Sequence, residues 1–174
     1  LASRVRWRTP LRSGYSGPAV AEGRVFITDF MYTTRPRGVE RALALDEKTG
    51  AVLWTQEWEA NYSGVSYDKG PRTTPTVDDD RVYIQGSSGV FLCLNAKTGA
   101  VLWKKDSVAD YHAPYEHWAS HYGFVAPLLI DGTVTVAMSL PACVAAETSA
   151  FPPLDPYRFR FVDILIALIA FSTP

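Results

Sequence analysis

The stretch that decides the fold is Lys48-Thr49-Gly50-Ala51-Val52-Leu53-Trp54, which recurs unchanged as residues 97–103, 49 positions further along the chain. Immediately before it, Arg41-Ala-Leu-Ala-Leu-Asp46 is matched at the same step by Val90-Phe-Leu-Cys-Leu-Asn95. Chance does not readily produce an identity of seven residues, and self-similarity at a fixed step is the sequence signature of a repeat protein.

A second unit occurs three times and has the composition of a β-hairpin. Its copies are residues 17–27, 74–84 and 126–136. Each copy ends in β-branched or aromatic residues, which favour a half-buried strand, and each contains a short turn rich in acidic residues or Gly. One repeat therefore consists of four short antiparallel strands. In the later turn of the repeat, we expect Gly50 and Gly99 to be left-handed and to start a β-bulge.

Four strands per repeat, with Gly turns and one Trp per unit, are typical of the blades of a β-propeller. We expect Trp54 and Trp103 to fill the space between neighbouring sheets. A β-sandwich is the competing architecture, but it does not explain identical turns at a fixed period. The predicted fold class is therefore all-β: a truncated, partial β-propeller of four-stranded antiparallel blades, followed by a tail outside the propeller.

The repeats divide the chain into unequal parts. Trp7 lies where Trp54 would lie one repeat earlier, so we expect the chain to open on the last strand of an earlier blade. Two full blades follow at about 15–58 and 66–106, and half of another lies at 122–138. The predicted propeller fragment therefore covers residues 1–138.

Residues 139–174 differ in composition from the repeats, because they contain no Gly and no Lys but five Pro. Their apolar run at 161–171 is shorter than the roughly 20 residues that a membrane-spanning helix needs. We interpret this divergent tail as a non-native C-terminus, such as a shifted reading frame; a membrane-surface helix or docking segment is the alternative. The other two frames of the gene should then encode a further Thr-Gly-x-x-x-Trp run.

Composition excludes several classes of protein. The 174 residues carry 17 Lys and Arg against 18 Asp and Glu, a net charge of −1. No positive field is available to attract phosphates, which argues against nucleic acid as a partner. Two Cys are too few for a disulfide scaffold, and 13% aromatic residues exclude a disordered chain.

The segment Ala42-Leu-Ala-Leu-Asp-Glu-Lys-Thr-Gly-Ala-Val-Leu-Trp54 and its copy resemble the pyrrolo-quinoline quinone (PQQ) repeat. That repeat builds the eight-bladed propellers of quinoprotein alcohol dehydrogenases and of BamB-like outer-membrane assembly scaffolds. The resemblance implies a periplasmic or otherwise extracytoplasmic location. The residues that carry this structural signature are Gly50, Trp54, Gly99, Trp103 and Trp7.

The resemblance implies two candidate functions: a non-catalytic binding or assembly scaffold, or a fragment of a PQQ-dependent quinoprotein dehydrogenase. The dehydrogenases bind PQQ over the central axis and add adjacent cysteines, Ca²⁺ and a catalytic Asp. None of these can be placed here, so PQQ and calcium are expected only under the second alternative. Cys93 takes the position of Ala44 and is predicted to be a small core residue, while a Cys93–Cys143 disulfide stays open.

Four further motifs have simpler interpretations than a functional site. His112, His117 and His121 lie near Glu116 and would suit Zn²⁺ or Fe²⁺ on a helix, but the segment falls in a connection between blades and reads as a loop. Asp78-Asp79-Asp80 occupies a tight turn and lacks EF-hand spacing. Alternating Arg4, Arg6 and Arg8 indicate one exposed face of a strand. The glycosylation pattern Asn61-Tyr62-Ser63 is a frequent accidental match.

The connections between blades are the predicted binding face, because in a closed propeller they lie together at one end and carry side chains suited to contacts. We expect a protein partner or a small ligand there, and self-association through open sheet edges is a further expectation. The residues predicted for this face are Tyr62, Tyr67, Arg72, Trp118, His121 and Tyr122.

Overall fold

The computed structural model of the chain describes residues 5–66, 68–111, 128–130 and 134–136. Two four-stranded antiparallel sheets account for most of this part, and in each sheet the strands lie side by side in chain order. Blade 1 consists of β1 (Ala19–Ala21), β2 (Arg24–Thr34), β3 (Arg37–Asp46) and β4 (Val52–Asn61). Blade 2 consists of β5 (Thr76–Asp78), β6 (Arg81–Gln85), β7 (Val90–Asn95) and β8 (Val101–Asp106).

The predicted four-stranded repeat is therefore confirmed. A short helix, α1 (Ser107–Tyr111), follows blade 2, and the antiparallel pair β9 (Leu128–Ile130) and β10 (Val134–Val136) comes after it. This pair provides the two strands expected for the half blade. The first strand of each unit lies beside the first strand of the next, β1 beside β5 and β5 beside β9. This is the arrangement of inner strands around a propeller axis.

Side-chain hydrogen bonds explain why the turns at 46–50 and 95–99 have similar sequences. Asp46 Oδ1 accepts hydrogen bonds from the backbone N–H of Lys48 (3.0 Å) and from the N–H and hydroxyl of Thr49 (both 2.8 Å). Asn95 makes the equivalent bonds in blade 2. The hydroxyl of Thr49 holds the pKa of Asp46 below its ordinary value. Each turn closes on a Gly at a φ of 72° or 73°, as predicted.

The position of the β-bulge differs from the prediction. The register shifts between Val52 and Trp54, so Leu53 is the extra residue, and Leu102 has the same role in blade 2. The left-handed Gly belongs to the turn itself, where its N–H donates to the carbonyl of Asp46 at 2.8 Å. The bulge therefore starts after the turn has closed rather than at the Gly.

Tryptophan docking joins successive blades. The Trp54 ring lies over the turn of blade 2, where a Cβ on Gly99 would come within 2.7 Å of it, and its indole N–H donates to the Ala96 carbonyl at 3.0 Å. Trp7 packs on Gly50 in the same way and donates to the Glu47 carbonyl at 2.8 Å. The prediction that these rings fill the space between blades is confirmed for Trp54.

The remaining signature residue, Trp103, is half-buried beside Tyr83, with 6.1 Å between their ring centroids. The corresponding pair in blade 1 is Phe26 and Trp54, at 5.9 Å. Trp103 therefore repeats the packing of Trp54 within its own blade. The turn on which it would dock falls outside the described residues.

The core lies between the two blades. Aliphatic side chains of blade 2 meet the small and aromatic residues on the facing side of blade 1, and this removes the apolar surfaces of both from water. Cys93 is fully buried within blade 2, as expected for a small core residue, and burial raises the pKa of its thiol. The core between the blades contains Phe26, Ala42, Ala44, Trp54, Trp58, Val82, Ile84, Val90, Leu92, Leu94 and Ala96.

The segment before blade 1 departs from the prediction. Arg6 and Arg8 are exposed while Trp7 and Thr9 are half-buried, but no strand forms within residues 5–12. A strand needs a hydrogen-bonded neighbour, and the described chain offers none beside these residues. The expected strand face of arginines is therefore a segment without strand pairing in which Arg6 and Arg8 are exposed, and Arg4 lies outside the described residues.

Within the part of the chain that the structure describes, no helix is long and apolar enough to cross a membrane. The predicted tail at 139–174 and its possible surface contact lie outside the described residues.

Candidate binding cleft on the connection face

The two ends of the blades are built from different connections. The tight turns at 22–23, 47–50, 79–80 and 96–99 form one end, here called the turn face. The loop at 35–36, the link at 62–75, the turn at 86–89 and α1 form the other end, here called the connection face. Strand direction alternates in an antiparallel sheet, so these two groups of connections lie on opposite sides.

A cleft of about 690 Å³ opens on the connection face between the two blades. One wall comes from the end of the β2–β3 hairpin and from β4. The other wall comes from the turn at 86–89 and from the junction of β8 with α1. The lining residues are Thr33, Thr34, Arg37, Gly38, Val39, Glu59, Ala60, Asn61, Ser88, Val90, Asp106 and Val108.

A fully buried carboxylate joins the blades beside this cleft. Glu40 on β3 accepts three hydrogen bonds: from the Tyr62 hydroxyl to Oε1 (2.6 Å), from the Ser87 N–H to Oε1 (2.9 Å) and from the Trp58 indole N–H to Oε2 (2.7 Å). These four residues are the Glu40 cluster. Ser87 belongs to blade 2, so the cluster links β3 and β4 of blade 1 to the 86–89 turn.

The electrostatics of the Glu40 cluster are set by burial. Loss of solvation raises the pKa of Glu40 above its ordinary value, although the bonds from Tyr62, Ser87 and Trp58 act in the opposite direction. The same burial, together with the neighbouring carboxylate, raises the pKa of Tyr62. Tyr62 therefore keeps its hydroxyl proton at all working pH values and can donate it to the ionised Glu40.

Gly86 makes the close approach of the two blades sterically feasible. A Cβ at this position would collide with Glu40 Oε2 and would lie 2.9 Å from Trp58 Nε1. Any side chain would therefore push the turn of blade 2 away from blade 1. The requirement for Gly here comes from the contact between blades and not from a left-handed φ.

A second buried carboxylate is held within blade 1. Asp29 takes paired hydrogen bonds from Arg41, at 2.6 Å from Nε and 2.9 Å from Nη2, and a third from the backbone N–H of Arg12 at 2.8 Å. These bonds to Asp29 raise the pKa of Arg41. A bidentate pair of this kind fixes geometry as well as charge, and it ties the segment before blade 1 to β2 and β3.

A smaller cleft of about 430 Å³ lies on the same face beside the middle of the link. Asp68 accepts from the Tyr32 hydroxyl at 2.6 Å and from Arg35 at 2.9 Å, and the tyrosine bond holds the pKa of Asp68 below its ordinary value. Burial and the neighbouring carboxylate raise the pKa of Tyr32 to about 12. Lys69 and Arg12 also line this cleft.

The structure places two members of the predicted binding face in positions that the sequence did not indicate. Tyr62 is 3% exposed and its ring stacks on Phe30, with 4.2 Å between the centroids, so it serves the interior rather than the surface. Arg72 is half-buried and donates to the carbonyl of Ser66 at 2.6 Å, so it anchors the link. The predicted members outside the described residues are Tyr67, Trp118, His121 and Tyr122.

The other candidate sites are placed only in part. The histidine segment at 112–121 and Cys143 fall outside the described residues. The acidic run at 78–80 spans the end of β5 and the following turn, where Asp79 has a φ of 48°. Asn61 Oδ1 accepts from the Ser63 N–H at 3.0 Å, so its side chain closes a local turn.

Sequence reasoning missed Glu40, although a signal for it existed. Side chains alternate between the two faces of a strand, so counting back in steps of two from the core residues Ala44 and Ala42 reaches Glu40. A carboxylate on an apolar strand face needs partners from elsewhere in the fold. Those partners come from β4, the link and the next blade, which strand periodicity alone does not identify.

Comparison with known proteins starts from the family. A family model described as outer membrane protein assembly factor BamB matches residues 2–66 and 38–149. The chain belongs to this PQQ-repeat β-propeller family. The second match reaches past residue 138, where the repeat pattern in the sequence ends. No curated protein sequence matches the chain.

Solved structures of PQQ-repeat proteins share the fold. BamB from Moraxella catarrhalis aligns with a TM-score of 0.54 and 17% identity over 75% of this chain. Quinohemoprotein alcohol dehydrogenase from Comamonas testosteroni aligns with a TM-score of 0.50 and 18% identity, also over 75%. The chain covers only 36% and 18% of those two proteins. Likeness at this level of identity establishes the fold and not the activity.

Proposed function

We propose that this PQQ-repeat chain is a non-catalytic scaffold that binds a partner on its connection face, outside the cytoplasm. The observation that carries the proposal is the cleft between blades 1 and 2. It is open to solvent and walled by two blades, and its lining combines charged, hydroxyl and apolar groups. Propeller proteins commonly bind through the loops that a rigid set of blades displays. The location is proposed from family membership.

The ionisable groups near the cleft favour binding over chemistry. The carboxylates of Glu40 and Asp29 have hydrogen bonds on both of their oxygens, all from donors within the fold. They therefore serve packing. The charged residues that line the cleft, Arg37, Glu59 and Asp106, are of both signs, which suits the mixed polar and apolar surface of a polypeptide partner.

The name of the matched family model, an assembly factor, supports a protein partner over a small ligand. An open cleft between two β-sheets also suits an extended segment better than a compact cofactor, because most small-molecule sites enclose the bulk of their ligand. A small ligand remains the competing occupant of the same cleft.

The second candidate is a piece of a quinoprotein dehydrogenase, suggested by the similar fold of the Comamonas enzyme. The described residues lend this candidate less support than they lend the scaffold. No group of three His, Cys, Asp or Glu side chains that could hold a metal occurs among residues 5–66 and 68–111, and the buried carboxylates are already engaged. The candidate predicts that added PQQ and Ca²⁺ give dye-linked alcohol oxidation and a quinone absorption band.

The proposed function is tested by selecting peptides from a displayed random library on the full chain. The affinity of the selected peptides is then measured for two charge-reversal variants: Arg37→Glu in the cleft and, as a matched control, Lys97→Glu on the turn face. We expect Arg37→Glu to weaken binding at least about tenfold, as expected for a charge in the contact, while Lys97→Glu leaves it unchanged. Binders that are insensitive to Arg37→Glu, or equally sensitive to both, would refute a cleft on the connection face.

A further inference from the structure

The Glu40 cluster lies directly beneath the cleft. Gly38 and Val39, which precede Glu40 on β3, line one wall, and Ser88 and Val90 line the other. Ser87, the residue that donates to Glu40, belongs to the turn that carries Ser88. A change at the Glu40 carboxylate therefore acts on the blade 2 wall of the cleft.

The hydrogen bonds of the cluster match an ionised carboxylate. An indole N–H and a backbone N–H can only donate, whereas the Tyr62 hydroxyl can also accept. A proton on Glu40 would therefore lie on Oε1 and point to the Tyr62 oxygen. Oε1 would then be a neutral and weaker acceptor for Ser87, because hydrogen bonds to charged groups are roughly twice as strong as neutral ones.

We propose that Glu40 is a positioning residue for the cleft: its ionised carboxylate holds the turn at 86–89 against blade 1, and its protonation releases the Ser87 amide and lets that wall move. The effect on partner binding rests on the proposed function. The release of the Ser87 amide does not rest on it, since that release can be observed without any ligand.

The groups around Glu40 determine the pH at which it is protonated. The link contributes Tyr62 and the Arg72 guanidinium, which favours the ionised form. β4 contributes the Trp58 indole and the turn contributes the Ser87 amide, and neither is charged at working pH. Burial outweighs these groups and raises the pKa of Glu40, so protonation comes at a higher pH than for an exposed glutamate.

The experiment follows the Trp58 indole N–H and the Ser87 amide by NMR, in the full chain, from about pH 4 to about pH 8, which brackets the ordinary glutamate value and the region above it. We expect a common midpoint above the ordinary value, with the protection of the Ser87 amide against exchange falling about tenfold on the acid side. The internal control is the Thr98 amide, which bonds the non-titrating Asn95 and should keep its protection.

Two variants identify the titrating group. Glu40→Gln should abolish the midpoint. Tyr62→Phe keeps the carboxylate but removes one donor to its charged form, so it should raise the midpoint, which covers the case in which Glu40→Gln does not fold. A flat response in the wild type, the same titration in Glu40→Gln, or an unchanged midpoint in Tyr62→Phe would overturn the proposal.

The methyl groups of Val90 report on the cleft wall itself. They should shift with the same midpoint, and methyls that stay constant would overturn the assignment of Glu40 to the cleft. Failure here is distinct from failure of the proposed function. A peptide selection that yields no cleft binders, alongside an intact titration, refutes the function alone, and cleft binders with no titration refute the positioning role alone.

Discussion

Blades 1 and 2 are nearly identical at the turn face and different at the connection face. Their turns share the Lys-Thr-Gly sequence and left-handed glycines at 72° and 73°, and equivalent hydrogen bonds go to Asp46 in blade 1 and to Asn95 in blade 2. Their central hairpins differ: β2 and β3 have 11 and 10 residues, whereas β6 and β7 have five and six. The turn face is thus constrained by docking between blades, while the connection face varies.

The difference is sharpest at Glu40. One repeat step of 49 residues further on, Glu40 corresponds to Gly89 and Trp58 to Ser107. Blade 2 therefore has no equivalent carboxylate, and the buried cluster is specific to the junction between blades 1 and 2. Tryptophan docking joins blades at more than one junction, because Trp7 packs on Gly50 and Trp54 packs on Gly99. The hydrogen bond from Ser87 to Glu40 is an additional link beside the cleft.

The largest expected effect comes from Glu40→Ala, which removes the acceptor of three buried donors. Each buried donor left without a partner costs about 1–3 kcal/mol, so we expect the free energy of unfolding, measured by urea denaturation, to fall by about 3 kcal/mol or more. Glu59→Ala, at an exposed position of the neighbouring strand, is the control and should change stability by no more than about 0.5 kcal/mol. Equal losses of stability from the two substitutions would contradict the claim that the Glu40 cluster stabilises the junction between blades 1 and 2.

Two glycine substitutions test the docking of tryptophan rings at the turn face. Gly99→Ala puts a methyl group against the Trp54 ring, whereas a Cβ on Gly23 meets nothing within 4 Å, although both residues have positive φ near 74°. We expect Gly23→Ala to cost about 1 kcal/mol for the left-handed conformation. Gly99→Ala should cost about 1–3 kcal/mol more for overpacking. Equal losses in thermal unfolding would contradict the docking of Trp54.

Two tyrosines compare a buried with an accessible hydrogen bond to a carboxylate. Tyr62→Phe should lose about 1.5–3 kcal/mol, because its partner Glu40 is buried and charged. Tyr32→Phe removes a bond to the more exposed Asp68 and should lose at most about 1 kcal/mol. Denaturation of both variants beside the wild type measures the difference, and a larger loss at Tyr32 would reverse the assigned ranking.

Stability should also respond to pH through Glu40. Its pKa is raised in the folded state, so the folded chain binds the proton more tightly than the unfolded chain. This contribution is fully present below the ordinary glutamate pKa and is lost as pH rises through the folded value. The urea midpoint of the wild type should therefore fall relative to that of Glu40→Gln as the pH rises through the folded pKa of Glu40. Parallel curves for the two proteins would be inconsistent with a raised pKa.

Local chemistry explains what the sequence predicted. The Asp–Thr–Gly turn and the β-branched runs depend on neighbours within one repeat, so strands and blades followed from them. The recurrence of Trp54 as Trp103 at the repeat period predicted that these rings lie between blades. Glu40 depends on Trp58, Tyr62 and Ser87, which the fold brings together from β4, the link and the next blade. The long hairpin has no second copy in the described chain, so comparing repeats could not reveal the cleft that it walls.

The proposed binding role of the connection face is tested most directly by site-specific photo-crosslinking in cells that make the full chain. A photoreactive amino acid is placed at Thr34, on the cleft, or at Lys97, on the turn face. We predict a discrete crosslinked partner from Thr34 that is absent from Lys97 and is lost when Arg37→Glu is added. Crosslinks from Lys97 alone, or adducts at Thr34 that persist unchanged with Arg37→Glu, would contradict a partner in this cleft.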